Sequence, residues 1–220
     1  MTINEVISQI KGLLDAYSDD SDFKAPYLWG LFCLCRAEIL GQSLEKQKFV
    51  GGQHYKTVCI ELEESKFYEC NCLDLDCTVF KSKNKLPNTI KGRNKDTLKV
   101  FPLLSRKPIP YIKDTELDVY LQDDIYTNKP MYSIVNNHLV LFNKNYPKVH
   151  ISGIWEDNLK LNDIQYCSNT DDCIDFFKED IGMDKKEVSN AIKKLFREYF
   201  NIDIQLPPDV TNDINETIVL

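Results

Sequence analysis

Residues 131–142, Met-Tyr-Ser-Ile-Val-Asn-Asn-His-Leu-Val-Leu-Phe, decide the fold. Two runs rich in apolar residues flank the pair Asn136-Asn137. Asparagine tolerates the positive φ of a tight two-residue turn, because its short polar side chain bonds to nearby backbone. The stretch therefore predicts a hairpin of residues 131–135 and 138–142, and with it an antiparallel sheet.

Period-two alternation continues the sheet in both directions. After Gly51-Gly52, Val58, Ile60 and Leu62 alternate with Thr57, Cys59 and Glu61, the mark of a strand with one face inward. Residues 98–101 and 117–121 behave alike, and residues 148–155 supply another strand. Prolines at 87, 102, 108, 110, 130 and 147 punctuate this region, which suits short strands and long loops.

At both ends of the chain the period becomes helical. Thr2 and Glu5 form a capping box, and Ile3, Val6, Ile7, Ile10, Leu13, Leu14 and Tyr17 then make one apolar stripe. The cluster of Ser and Asp at 18–22 stops that helix, since such side chains bond backbone locally. Pro26 suits the first turn of a second helix with Leu28, Leu31, Phe32, Cys35 and Ile39 on its stripe, ending near Gly41. Late in the chain Asp184 and Glu187 cap a helix carrying Val188, Ala191, Ile192, Leu195, Phe196 and Tyr199. Leu206-Pro-Pro-Asp breaks it, and residues 210–220 trail off as a polar tail with an apolar tip.

The expected class is α+β. An N-terminal helical hairpin occupies residues 1–50, an antiparallel β-rich region 51–165, a C-terminal helical region 166–205 and an extended tail 206–220.

Composition narrows the function. At 220 residues, 43% hydrophobic, the chain can bury a core without staples. A net charge of −7 argues against a nucleic-acid coat, and no run of 18 apolar residues offers a membrane span. The start, MTINEVISQIKGLL, interrupts its apolar positions with polar and acidic residues, unlike a secretion signal, so synthesis and retention in a cytoplasm are expected.

In that compartment the eight cysteines, at 33, 35, 59, 70, 72, 77, 167 and 173, are expected as thiols rather than disulfides. The stretch from Phe67 to Cys77, FYECNCLDLDC, reads as strand–turn–strand with reduced thiols. Zinc is the alternative: Cys70, Cys72 and Cys77 with Cys167 or Cys173 could assemble a tertiary site, although no spacing is that of a paired knuckle. Asp74 and Asp76 lack the ligand-rich loop that calcium requires. The three histidines, His54, His138 and His150, fall in no motif pairing them with a thiol, and His138 and His150 read as structural polar residues. No GxSxG, HExxH or phosphate-cradling glycine loop occurs, so neither an enzyme nor a cofactor is expected.

Charge is unevenly spread. Residues 81–107 hold nine bases (Lys81, Lys83, Lys85, Lys91, Arg93, Lys95, Lys99, Arg106, Lys107) against one acid, Asp96, leaving −15 for the rest. Such a segment is either a solvated loop or a basic projection that meets an acidic surface, a neighbouring subunit or DNA. The tail, with Val210, Ile214, Ile218 and Leu220, is either disordered or ordered by a partner.

The succession of features resembles a known family. Ala16-Tyr-Ser-Asp-Asp-Ser21, then Tyr27-Leu-Trp-Gly-Leu and Arg36, then Cys59 precede Glu69-Cys-Asn-Cys through Cys77 and Phe80-Lys-Ser-Lys-Asn-Lys-Leu-Pro87. A strand-rich part, a terminal helix and a Pro-Pro-Asp-Val tail follow. Together these resemble the virion structural proteins of crAss-like phages, the short-tailed phages of gut Bacteroidetes and their relatives. Among these the chain looks most similar to the ring proteins that stack beneath the portal as head–tail connectors.

The resemblance implies a homo-oligomeric ring of about twelve copies, matching the portal. Such a ring contacts the portal and neighbouring tail proteins and conducts double-stranded DNA without reading its sequence. It implies a virion component made in the host bacterial cytoplasm, with no cofactor and no membrane. The expected interfaces are the first two helices, residues 81–107 and the tail after Pro208. The alternative function is a small intracellular binding module with a structural zinc.

Overall fold

The computed structural model describes residues 1–17, 23–46, 50–66, 78–91, 97–113, 129–143, 145–167 and 173–204. The chain is α+β. It divides into two compact units, Met1–His54 with Phe177–Leu220, and Tyr55–Phe176.

The first unit is helical. In α1 (Ile3–Tyr17) the Thr2 N–H donates to Glu5 Oε2 at 2.8 Å and the Glu5 N–H to Thr2 Oγ1 at 3.4 Å, the reciprocal capping box. Ile3, Val6, Ile10 and Leu14 are buried, whereas Tyr17, the last helical residue, is exposed. The expected link at 18–22 lies outside the described residues. The next helix, α2 (Ala25–Glu45), has Pro26 in its first turn. It does not end near Gly41. A helical glycine costs about 1 kcal/mol relative to alanine, and burying Leu44 one turn further on more than offsets that. Ile39 is only half-buried, and Leu40 takes the core position instead.

A second capping box opens α3 (Lys185–Tyr199), where the Glu187 N–H donates to Asp184 Oδ1 at 2.7 Å and the Asp184 N–H to Glu187 Oε2 at 3.0 Å. Val188, Ala191, Ile192, Leu195 and Phe196 face inward, while Tyr199 at its end is exposed. α2 packs on both α1 and α3. Lys194 of α3 pairs with Glu38 of α2 and, at 3.0 Å, with Glu198 one turn along its own helix. Thr2 pairs antiparallel with Asp180, so the chain just ahead of α3 is tied to the start of α1.

The second unit is a six-stranded antiparallel sheet in the order β3-β6-β1-β2-β5-β4. Its strands are β1 (Lys56–Lys66), β2 (Thr78–Ser82), β3 (Lys99–Pro102), β4 (Met131–Val135), β5 (His138–Phe142) and β6 (Lys148–Gly153). β1 serves two partners. Its first half pairs with β6 and its second half with β2, so the sheet turns along this one strand. The alternation expected of β1 is present: Val58, Ile60 and Leu62 are buried, and Val58 lies level with Ile151 of β6 and Val100 of β3 in one apolar layer. Residues 67–77 connect the paired ends Lys66 and Thr78 and lie outside the described residues, as does the strand expected at 117–121.

The hairpin expected over residues 131–142 is present, with Val135 opposite His138 and Asn136 and Asn137 at φ 51° and 64°. Both turn positions are left-handed, which suits asparagine and matches the twist of the flanking strands. The strand expected over 148–155 stops at Gly153. Trp155 beyond it pairs with Thr89 instead and is wholly buried, its Nε1–H donating to Lys56 O at 3.1 Å.

Each edge strand of the sheet carries one further pairing. Ile109 pairs antiparallel with Val100 on β3, its N–H donating to Val100 O at 2.7 Å. Two residues on, Tyr111 pairs in parallel with Tyr132 on β4, with Tyr132 N–H to Pro110 O and Ile112 N–H to Tyr132 O both at 2.9 Å. Residues 109–112 therefore join the two edge strands, and Tyr132 Oη adds a hydrogen bond to Leu98 O at 3.0 Å. This bridge rounds the sheet into a barrel and satisfies the edge groups at Val100 and Tyr132 that would otherwise face another chain. The core inside includes Val58, Ile60, Leu139, Leu141, Val149, Ile151 and Trp155, and a smaller cluster of Val79, Ile112, Met131, Val135, Val140 and Phe142 covers the other face of β4 and β5.

Candidate functional site

The basic segment is split by the fold. Lys81 on β2 and Lys99 on β3 are contiguous in charge but separated in the sheet by β1 and β6. On the β2 side, Lys83, Lys85 and Lys91 are exposed, with Lys83 Nζ 3.8 Å from Glu61 Oε2. Lys85 and Lys91 flank the stretch Leu86-Pro87-Asn88, which walls two neighbouring cavities. On the β3 side, Lys99 lies 5.8 Å from the centre of the Tyr55 ring, and Arg106 and Lys107 are exposed in the turn that follows. Arg93, Lys95, Val210, Ile214, Ile218 and Leu220 lie outside the described residues.

The largest cavity described, about 510 Å³, is walled by Leu86, Leu98, Tyr111, Tyr132 and Ile134, with Lys91 and Glu156 among its polar groups. No histidine or cysteine is among the described residues that line it. Its chemistry suits shape-filling contact more than proton transfer or nucleophilic attack.

The turn after β3 is different in kind. Leu104 is fully exposed and Leu103 is 44% exposed. They are held out by a braced backbone: Ser105 N–H donates to Pro102 O at 3.1 Å and Lys107 N–H to Ser105 Oγ at 3.1 Å. A fully exposed leucine beside two bases is an apolar tip with a charged collar.

The cysteines divide. Cys167 and Cys173 form a disulfide with their Cα atoms 5.4 Å apart, so the expectation of thiols is overturned for this pair. The reason is local. Gln165 Nε2–H donates to Ile174 O at 2.8 Å and Ile174 N–H to Gln165 Oε1 at 3.1 Å, which draws the two ends of the segment within bridging range. The zinc reading loses these two ligands in this state, and its other three, Cys70, Cys72 and Cys77, lie outside the described residues. Cys33 and Cys35 are buried in α2, and burial with the nearby Glu198 carboxylate pushes the Cys35 thiol up to about 11. Burial raises Cys59 as well. Such thiols pack as small hydrophobes and are poor nucleophiles. Among the described residues no cluster of His, Cys, Asp or Glu has the makings of a metal site.

His138 is structural, as expected: its Nδ1 lies 2.9 Å from Ser82 O and 3.4 Å from Ser82 Oγ, joining β5 to β2. His54 was missed. It is buried beside Arg36 and Glu187, with Nε2 3.2 Å from Glu187 Oε1. Glu187 thus spends one oxygen on the α3 cap and the other on His54. Burial lowers the His54 pKa and the Arg36 charge adds to that, against the pull of Glu187. A lone histidine between Gly52 and a strand carried no signal of this partnership.

A family model described as phage tail ring protein 2 matches residues 5–218, nearly the whole chain. The chain belongs to that family of crAss-like phage ring proteins. No curated protein matches it. As a phage tail ring protein it is a virion component, and its family points to a structural rather than an enzymatic role. For a ring protein the surfaces to weigh are those that meet other protein, which shifts attention from the cavities to the basic segment and its apolar turn. No helix among the described residues is long and apolar enough to cross a membrane.

Proposed function

We propose that this protein builds an oligomeric ring at the phage portal vertex, a connector through which the genome passes. The family match over residues 5–218 carries the reading. Copies close head to tail, about twelve in number to match the portal, because a heterologous contact repeated by a fixed rotation ends only when the ring shuts. The charge balance favours this arrangement: +8 within residues 81–107 against −15 elsewhere lets each copy present a basic region to an acidic neighbour.

The acidic remainder also suits a DNA conduit. A wall that repels phosphates lets the duplex slide, whereas a basic lining would hold it with salt-dependent affinity. Lys81, Lys83, Lys85, Lys91, Arg93 and Lys95 are assigned to contacts between copies. The first two helices and the tail residues Val210, Ile214, Ile218 and Leu220 are assigned to neighbouring rings or the portal. Averaged electron images of purified virions test the reading. Density fitting both units, repeated around the tail axis below the head, is the expected result. Virions that contain the protein away from the tail axis, or lack it, would refute the assignment.

A further inference from the structure

The bridge between Cys167 and Cys173 is not what holds its own ends together. Ahead of it, the 3-10 turn Asn158–Asp163 is capped by Asp157, whose Oδ1 accepts from the Leu159 N–H at 3.0 Å. Leu161 and Ile164 bury their side chains in the barrel core, and Phe176 does so from the far side of the bridge. Two polar side chains on the near side then grip backbone on the far side. Gln165 Nε2–H donates to Ile174 O at 2.8 Å, and Gln165 Oε1 accepts from the Ile174 N–H at 3.1 Å. Asn162 Oδ1 accepts from the Phe176 N–H at 3.4 Å and from Gln165 Nε2 at 3.3 Å, so the two grips brace each other. None of these contacts uses sulfur.

The bracket acts on the bridge in both of its states. With the bridge open, it keeps the two thiols near each other, so closing orders little additional chain and proceeds at high effective concentration. With the bridge closed, the sulfurs differ in access: Cys173 is exposed and Cys167 half-buried. Exchange proceeds by attack of a thiolate on a disulfide sulfur, and access decides which sulfur is attacked. Cys33 and Cys35, buried in α2, offer no such access.

We propose that Cys167 and Cys173 form a reversible thiol–disulfide exchange site for low-molecular-weight thiols and disulfides, which opens and closes without unfolding the barrel unit. In closing, the Cys173 thiolate attacks one sulfur of a small disulfide, whose other half leaves as a thiolate. The Cys167 thiolate then attacks the Cys173 sulfur, and the second small thiolate leaves. The two protein thiols lose two protons and two electrons, which convert the small disulfide to two thiols. Opening reverses these steps: a small thiolate attacks Cys173, and Cys167 is the leaving group. Given the cytoplasmic synthesis expected of the chain, the site is open among the thiols of the host and closes once a released virion leaves them.

The experiment equilibrates the full-length protein in mixtures of reduced and oxidised glutathione, quenches it in acid and maps thiols by alkylation and peptide mass spectrometry. The pair is expected to pass fully between open and bridged as the ratio is varied, with unchanged circular dichroism. Cys167→Ser is expected to trap glutathione on Cys173, whereas Cys173→Ser carries about tenfold less on Cys167. Gln165→Ala removes both hydrogen bonds to Ile174 and is expected to require about tenfold more oxidised glutathione at half-closure. Alkylation before lysis is expected to find thiols in infected cells and the bridge in purified virions. Loss of the fold on opening, a pair fixed in one state at every ratio, equal adduct on Cys167, an unchanged half-closure in Gln165→Ala, or the same state in cells and virions would overturn the proposal.

Discussion

Leu141 and Leu104 are the same residue in opposite circumstances. Leu141 sits at the centre of the barrel with no exposed surface, opposite Phe80 on β2 and Tyr132 on β4. Leu104 stands fully exposed on a braced turn. Hydrophobicity reports that a side chain gains from leaving water, about 1.5–3 kcal/mol for a leucine, but not whether folding or assembly removes it. In the barrel the fold itself takes the gain. At the turn the fold leaves it untaken.

Substitutions sharpen that contrast, and the largest effect belongs to the barrel. Trp155→Ala removes a wholly buried ring and its hydrogen bond to Lys56 O, and is expected to destabilise the chain by about 3–5 kcal/mol in denaturant titration. A loss under 1 kcal/mol would mean that the barrel core is not closed around this residue. Next comes Asp184→Ala, which removes the α3 cap and should cost about 1 kcal/mol, read as a lowered melting temperature.

Subtler is a pH effect at His54. Burial lowers its folded-state pKa below the ordinary value of 6.5, so the unfolded chain binds more protons in the window just beneath that value. Its contribution to stability is complete above pH 6.5 and falls as pH drops toward the depressed pKa. His54→Gln should flatten this limb of the melting-temperature profile, and an unchanged profile would show that His54 titrates normally. The smallest effect on stability is the most telling one. Leu104→Asp should leave the unfolding free energy within about 0.5 kcal/mol of wild type, as expected of a surface position. A large drop there would place Leu104 in the fold and erase the contrast with Leu141.

Much of the fold was legible because its signals are local. Two capping boxes, the Asn136-Asn137 turn and the alternation of Val58, Ile60 and Leu62 each occupy a few consecutive residues, and all four appear in the structure. The end of α2 was misjudged because Gly41 looks like a stop, whereas Leu44 finds a buried place beyond it. Barrel closure was not legible at all: it depends on single pairings at Ile109 and Tyr111 in a proline-rich segment with no periodicity. The candidate site was half legible. The basic run was plain in composition, but its division between the β2 and β3 sides is a product of strand order. Leu103 and Leu104 read as ordinary apolar residues until the turn placed them outside. The Glu187–His54 contact spans more than a hundred residues, and nothing near either position announces it.

The decisive measurement is the mass of the purified full-length protein in solution as its concentration is raised through the micromolar range. A monomer giving way to one discrete closed species of about twelve copies, weakened by salt, is the expected result. A wild-type chain that stays monomeric throughout, or grows without limit into open filaments, would contradict ring closure by the chain itself.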